Sequence, residues 1–150
     1  MTELPVALDK ILADARVVVG QEVVPLALAR GRVLACDVEA EVDVPPWDNS
    51  AMDGYAIVST DRGPRQLSQR IIAGDSGLPL STGEAARIFT GAPMPPGADT
   101  VVIQEKVELN GDTASFPEPV ASGEHVRPRG QDVACGDRVL ARGHCLQATD

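Results

Sequence analysis

The N-terminal part of the chain has the apolar spacing of a helix. Apolar side chains recur at helical intervals between residues 4 and 15 and form one stripe, made of Leu4, Leu8, Ile11, Leu12 and Ala15. Pro5 suits the first turn of this helix, because its missing N–H would have no intrahelical partner there. A second helix is predicted over residues 25–35, with an inward face of Leu26, Ala29, Val33 and Leu34. It contains Gly31, which costs about 1 kcal/mol relative to alanine inside a helix.

Residues 37–45 alternate between acidic and apolar side chains, which predicts a strand. The apolar face is Val38, Ala40, Val42 and Val44, and the acidic face is Asp37, Glu39, Glu41 and Asp43. Two interpretations of the acidic face remain open: a surface for a divalent cation, or a solvated face that discourages edge-to-edge pairing. We favour the solvated face, because carboxylates at a period of two lie in a row and do not converge on one ion.

The rest of the chain is predicted to be short strands separated by turns. Apolar and β-branched runs occur at residues 55–58, 70–73, 86–90, 100–104 and 138–140. Gly, Pro, Asp and Asn separate these runs, as in short-stranded barrels and sandwiches. The pattern therefore predicts an α+β protein that is predominantly β, with helices at its N terminus.

Composition and charge restrict the class of protein. Hydrophobic residues make up 43% of the chain, enough for a packed core, and the formal net charge is −9. An acidic chain is repelled by nucleic acid and by anionic lipid, so we expect neither as a partner. No apolar run approaches the roughly 20 residues of a membrane span, and the acidic N terminus does not resemble a secretory signal. We therefore expect a cytoplasmic protein.

The three cysteines and two histidines predict neither disulfides nor a zinc site. Cys36, Cys135 and Cys145 are an odd number with no close pair, which does not fit a disulfide framework. Cys135 with His144 and Cys145 is a poor approximation to zinc-ligand spacing. We expect these cysteines to be buried structural residues.

Three segments combine polar groups with restrictive backbone residues. The first, residues 45–55, has two prolines, then Asp48, Asn49 and Ser50, and ends in a tight reversal at Asp53-Gly54. Asp53 could bind a metal ion or accept hydrogen bonds at a catalytic centre. From local sequence alone, an ordinary turn aspartate before glycine is the favoured interpretation.

The other two segments could recognise anions. In residues 89–102, three prolines stiffen a loop that can hold the Thr90 hydroxyl and nearby amides ready for an anion, although the Gly-Lys-Ser/Thr end of a phosphate-binding loop is missing. In residues 127–132, Arg127 and Arg129 lie beside a glycine turn and suit phosphate or another oxyanion. An Arg–Asp pair that braces this turn is an equally weighted alternative. The chain has no Ser-His-Asp arrangement and no dinucleotide fingerprint.

In this order, the three segments resemble the MoeA/gephyrin-E family. That family carries D-N-S-A-M-D-G-Y-A after prolines, then T-G-A-P-x-P-x-G-A-D-x-V-V, then R-x-x-G-x-D followed by a G-D-x-x-L-x-x-G hairpin. These motifs are found here at residues 48–56, 90–102, 127–132 and 136–143. The sequence departs from the family at Gln131, which is commonly acidic, and at Pro128, which limits how both neighbouring arginines can point at one anion.

The resemblance implies a molybdopterin molybdenumtransferase. Such an enzyme inserts molybdate into adenylylated molybdopterin in molybdenum cofactor biosynthesis and releases AMP, with Mg²⁺ involved. Asp53 and Asp132 match acidic positions and are predicted to be catalytic and to bind the metal. Ser50, Thr90, Arg127 and Arg129 are predicted to bind substrate. We hypothesise that the aspartates position the cation or a water while Arg127 offsets phosphate or molybdate charge.

The resemblance also implies an architecture and partners. A discontinuous first domain is predicted at residues 1–46 and 138–150, with coiled or bifurcated sheets, and a small β-barrel-like second domain is inserted at residues 47–137. The implied partners are a second copy in a homodimer, and an upstream molybdopterin adenylyltransferase that supplies substrate.

The molybdopterin-binding and C-terminal domains of the family are not in this sequence, which ends on Thr149 and Asp150, residues that commonly open a helix. We therefore expect part of a longer or split protein, inactive alone. One alternative is a non-enzymatic dimerisation or interaction module. Another is a small Mg²⁺ phosphohydrolase, which we consider less favoured because the sequence shows no complete set of catalytic groups for it.

Overall fold

The computed structural model describes residues 3–150, which fall into two compact units. One unit is discontinuous and contains the chain up to residue 37 together with residues 141–150, and the other contains residues 38–140. The domain boundaries after residues 46 and 137, which the family resemblance implies, stay a prediction. No helix within residues 3–150 is long and apolar enough to cross a membrane.

The first unit contains the one α-helix of the described chain. Helix α1 spans Leu4–Asp14, has a proline in its first turn and buries none of its side chains. Its apolar stripe is therefore present but uncovered, with Leu4 81% exposed and Ile11 68% exposed. The predicted first helix is confirmed to within one residue.

The predicted second helix, residues 25–35, is wrong. Only a 3-10 turn forms, over Leu26–Leu28, and the chain then reverses at Gly31, whose φ is +77°. The following residues pair with the C-terminal segment instead: the Leu34 amide donates to the His144 carbonyl at 2.9 Å, and the Leu146 amide donates to the Arg32 carbonyl at 2.8 Å. Pairing with a remote segment thus satisfies the backbone groups that a helix would have paired locally.

The second unit is built from ten strands. They are β1 Val38–Glu39, β2 Asn49–Ser50, β3 Gly54–Ile57, β4 Arg65–Ile71, β5 Glu84–Ile88, β6 Thr100–Ile103, β7 Glu108–Asn110, β8 Thr113–Ser115, β9 Val126–Arg127 and β10 Arg138–Leu140. Six form one sheet in the order β6-β3-β5-β4-β8-β7, in which only the β4–β5 pair is parallel. Two antiparallel pairs, β1–β10 and β2–β9, lie outside that sheet. A 3-10 turn, Gln104–Lys106, follows β6.

The predominantly β prediction is confirmed, because the fold has one α-helix and ten strands in the described chain. Each of the five predicted apolar runs overlaps an observed strand, and β4 begins five residues earlier than predicted. The pairs β2–β9 and β7–β8 were not predicted, since strands of two or three residues are too short to show a period.

Both faces of the six-stranded sheet are covered. Neighbouring residues of one strand enter different apolar clusters: Ala56, Ala86 and Val101 belong to one, and Ile57, Ala85 and Val102 to the other. Because side chains alternate across a strand, this division shows burial on both sides. It explains why these strands appear in the sequence as continuous apolar runs.

The predicted strand over residues 37–45 is wrong, because only Val38–Glu39 is regular. On the acidic face, Asp37, Glu39 and Glu41 are exposed, as expected for a solvated face, but Asp43 is not. Asp43 has a side chain only 13% exposed, and its carboxylate accepts the Cys135 amide at 2.7 Å and the Arg129 Nε. Its pKa is lowered from the usual value, first by the Cys135 amide and then by Arg129. Asp43 therefore braces a turn formed by the remote residues 129–135.

The three cysteines are exposed and free, so their predicted burial is wrong. They lie on loops outside the six-stranded sheet, where no layer covers them. The Cys135 thiol lies 3.4 Å from the Glu41 carbonyl, to which it donates.

Asp99 anchors the start of β6 and gives a pH-dependent stability prediction. Burial raises the pKa of its carboxyl. Hydrogen bonds from the Ser59 hydroxyl (2.6 Å) and the Ser59 backbone amide (2.7 Å) lower the pKa and outweigh burial, so the net shift is downward. We expect Asp99→Ala to reduce the free energy of unfolding by about 2 kcal/mol at neutral pH, the scale of a hydrogen bond to a charged group.

A depressed native pKa means that this stabilisation is fully present above the ordinary value of 3.8 and is lost as pH falls through the native pKa. Urea unfolding from neutral to acidic pH measures the difference between wild type and variant, which should shrink in acid. The exposed loop variant Asp75→Ala is the control. A difference that grows in acid would contradict the assignment.

Candidate functional site

The first two polar segments are joined by their backbones. The Ser50 amide donates to the Ala92 carbonyl at 2.9 Å, and the Gly91 amide donates to the Ser50 carbonyl at 2.8 Å. Two residues away, the Met94 amide donates to the Asp48 carbonyl at 2.9 Å. These bonds place the turn that carries Asp53 against the loop that carries Thr90.

The third segment joins the same strand from its other side. Strand β2 pairs with β9, so that Asn49 lies opposite Arg127. The Asp48 carboxylate accepts the Arg129 amide at 2.7 Å. Asp48 therefore holds the second segment through its carbonyl and the third through its side chain. All three sequence-predicted segments meet at β2, although 33 residues separate the first from the second and 24 separate the second from the third along the chain.

Asp53 and Thr90 are joined by two hydrogen bonds that the Asp53 side chain accepts. Asp53 Oδ1 accepts both the Thr90 amide and the Thr90 hydroxyl, each at 2.8 Å. The pKa of Asp53 is lowered, first by the Thr90 amide, then by its hydroxyl, and further by the charge of Arg87. Both residues are exposed, so an ionised carboxylate faces solvent. Since both bonds reach Oδ1, the second oxygen, Oδ2, is available to a ligand.

The two arginines of the third segment each pair with an aspartate. Arg127 pairs with Asp132, and both side chains are nearly half exposed. Arg129 pairs with Asp43 through its Nε. An Arg–Asp pair that braces this turn, one of the two interpretations of the segment, is thus present. The Arg127 side chain remains 43% exposed in this pair.

Ser50 lies differently from the other predicted substrate-binding residues. It is 2% exposed, and its hydroxyl donates to the Met52 carbonyl at 2.6 Å. In the structure Ser50 therefore closes the turn that leads to Asp53, and its contact with substrate stays a prediction.

Three residues that organise the site could not be identified from the sequence: Asp43, Asp48 and Arg87. Asp43 was assigned to a solvated row, and Asp48 was treated only as a turn residue. Arg87 could have been noticed in the sequence, because it is a charged residue inside the apolar run of residues 85–89. Their roles depend on partners remote in sequence, which local spacing does not reveal.

A cavity lies beside the site. An open cavity of about 320 Å³ lies beside Asp48, and its lining includes Trp47, Met94 and Arg129. Within residues 3–150, no group of three or more His, Cys, Asp or Glu side chains is placed to hold a metal ion.

The fold and site define a class of protein: a two-unit, β-rich module in which three polar turns converge on one short strand and present an Asp–Thr pair. The family model described as the MoeA N-terminal region (domain I and II) matches residues 2–150. The chain belongs to this family.

Curated relatives carry the name molybdopterin molybdenumtransferase. The protein of Synechococcus elongatus is 36% identical over 93% of this chain, and that of Nostoc sp. is 38% identical over 86%. The alignments cover 38% and 32% of those two proteins, so the chain spans about a third of their length.

Solved structures show the same fold. Two structures of the molybdopterin biosynthesis MoeA protein from Pyrococcus horikoshii match with TM-scores of 0.81 and 0.74, at 31% and 38% identity. They cover 84% and 85% of this chain, and 34% and 36% of the Pyrococcus chains.

Proposed function

We propose that this chain supplies the N-terminal part of the active site of a molybdopterin molybdenumtransferase. The reaction inserts molybdate into adenylylated molybdopterin and releases AMP. The observation that carries the proposal is the convergence of Asp53, Thr90, Arg127 and Asp132 from three separate segments onto β2 and its flanking turns. Family membership supports the choice of reaction, since the named relatives are molybdopterin molybdenumtransferases.

The exposed carboxylate of Asp53 is the proposed catalytic group of this chain. Thr90 holds Oδ1 in place and keeps the carboxylate ionised, so that Oδ2 can orient a water molecule at the reacting centre. The half-exposed guanidinium of Arg127 offsets the negative charge of phosphate or molybdate, and Asp132 fixes its orientation. Arg129, held by Asp43, adds a second positive charge beside the cleft.

We propose that Asp53 and Asp132 hold a Mg²⁺ ion in the mode that is most common for this ion in proteins. Mg²⁺ keeps several waters and takes one or two carboxylates together with substrate phosphates. Asp53 and Asp132 would supply two such carboxylates. When bound there, the ion would neutralise charge on the phosphoryl oxygens.

Further groups must complete the site, because the chain spans about a third of its curated relatives. We propose that a molybdopterin-binding half of the family completes it and that the chain is inactive without that half. The uncovered stripe on α1, with Leu4 and Ile11 mostly exposed, supports a homodimer in which a second copy buries it. An upstream molybdopterin adenylyltransferase would supply the substrate, and we place the reaction in the cytoplasm.

Release of AMP tests this proposal. Adenylylated molybdopterin, molybdate and magnesium are mixed with this chain alone, with the C-terminal two-thirds of a family relative alone, and with both. We expect release only when both are present, because the site needs groups from each. The mixture without molybdate is the control. If a folded chain supports no release in the mixture, the proposed function is wrong.

A further inference from the structure

Arg87 lies behind the Asp53–Thr90 pair, in contact with two aromatic rings. It is on β5, directly opposite Tyr55 of β3. Its guanidinium carbon is 4.4 Å from the centroid of the Phe89 ring and 5.1 Å from that of the Tyr55 ring. The guanidinium therefore makes a cation–π contact with each of the two rings.

The guanidinium also donates hydrogen bonds to both sides of the site. Its Nη1 donates to the Gly54 carbonyl at 2.7 Å and to the Ile88 carbonyl at 3.2 Å. Its Nη2 donates to the side-chain oxygen Oε1 of Gln104, and the backbone amide of Gln104 donates to the backbone carbonyl of Asp53 at 3.1 Å. Arg87 thus reaches the Asp53 turn twice, once through Gly54 and once through Gln104.

We propose that Arg87 is a positioning residue, which sets the Asp53 turn and the Thr90 loop in register so that the Asp53–Thr90 hydrogen bonds form. Asp53 immediately precedes Gly54, which accepts from Arg87, and Thr90 immediately follows Phe89, on which Arg87 stacks. Each site residue is therefore one position from a group held by the guanidinium. The catalytic importance of this register rests on the function proposed above.

Arginine is required for this role because three separate acceptors are met by two nitrogens of one flat group. A lysine at position 87 keeps the positive charge, but its single ammonium group cannot lie flat on a ring and donate in several fixed directions. A purely charge-based role predicts rescue by lysine, whereas positioning predicts that lysine fails.

Arg70 is a matched control that separates stacking from positioning. Its guanidinium carbon lies 4.8 Å from the centroid of the same Phe89 ring. It is exposed on β4, which pairs with β5 and not with β3, the strand that follows Asp53. Loss of Arg70 should therefore remove a stacked cation without removing a bond to the Asp53 turn.

The experiment is amide–water exchange measured by NMR on this chain, wild type and variants. In Arg87→Lys and Arg87→Gln, we expect the Thr90 amide to exchange about tenfold faster, because its bond to Asp53 opens locally. The Val101 amide, which donates to the Glu124 carbonyl at 2.9 Å, should be unchanged, as should Thr90 in Arg70→Gln. In the mixed AMP-release assay, Arg87→Lys should lower kcat with little change in KM.

Three results would overturn the proposal. Equally accelerated exchange of the Thr90 and Val101 amides would indicate global destabilisation, and wild-type exchange of Thr90 in Arg87→Lys would indicate a role of charge alone. The third is an acceleration of Thr90 exchange in Arg70→Gln as large as that in Arg87→Gln. Failure of the proposed function looks different. In that case Thr90 exchange responds as expected, but Asp53→Asn leaves AMP release intact.

Discussion

Replacing Gly54 with alanine is expected to reduce the free energy of unfolding by about 3 kcal/mol or more. Gly54 is buried on β3, and a Cβ at this position would lie 2.1 Å from the Val102 carbonyl oxygen and 2.9 Å from its carbonyl carbon. Both atoms belong to the backbone of β6, which is paired with β3 from Gly54 to Ile57. The clash cannot be relieved by a change of rotamer, so the two strands must separate.

Urea denaturation followed by circular dichroism measures this loss. Gly20→Ala is the matched control, because a Cβ there meets no atom within 4 Å and Gly20 has no positive φ. We expect the control to change stability by less than about 0.5 kcal/mol. If Gly54→Ala matched the control, the close approach of β6 to Gly54 would be refuted. Because Gly54 follows Asp53, the same variant should also displace the site.

Asp53→Asn is expected to lower the rate of AMP release in the mixed assay by about 10²- to 10³-fold, the scale of one preorganised electrostatic group. The substitution retains a carbonyl oxygen that can accept both bonds from Thr90, so the turn keeps its shape. It removes the negative charge, which the proposed role of the carboxylate requires. We therefore expect a large loss of turnover with little loss of stability.

Asp112→Asn serves as the control for this charge removal. Asp112 is exposed in the turn between β7 and β8, and two strands, β5 and β4, separate β8 from β3 in the sheet. The Asp112→Asn substitution should leave turnover within about twofold of wild type, since surface changes away from a site have small effects. Wild-type turnover in Asp53→Asn would remove the carboxylate from the mechanism, whereas a loss that tracks unfolding would assign it a structural role.

The local sequence pattern was sufficient to predict an element whose formation depends on its own residues. Helix α1 was predictable because an apolar stripe and a proline in the first turn act within eleven residues. The apolar runs of β3, β5 and β6 were predictable because burial on both faces leaves few polar residues within them. The second predicted helix failed, because Gly31 turns the chain and remote partners, His144 and Leu146, take up its backbone groups.

Some residues of the candidate site could likewise be predicted from local sequence, and others could not. The motifs made Asp53, Thr90, Arg127 and Asp132 identifiable from the sequence, since restrictive glycine and proline residues surround polar ones in a recognisable order. Arg87, Asp43 and Asp48 could not be assigned a role, because each acts on groups tens of residues away.

By itself, the sequence determined the family, the predominantly β character and the residues that carry polar groups into the site, because these depend on composition, local period and motif order. Only the tertiary structure decided that Thr90 bonds to Asp53, that each arginine of the third segment pairs with an aspartate, and that Gly54 admits no side chain. These depend on which strands become neighbours. That choice is made by the burial of both faces of one sheet, to which segments throughout residues 38–140 contribute at once.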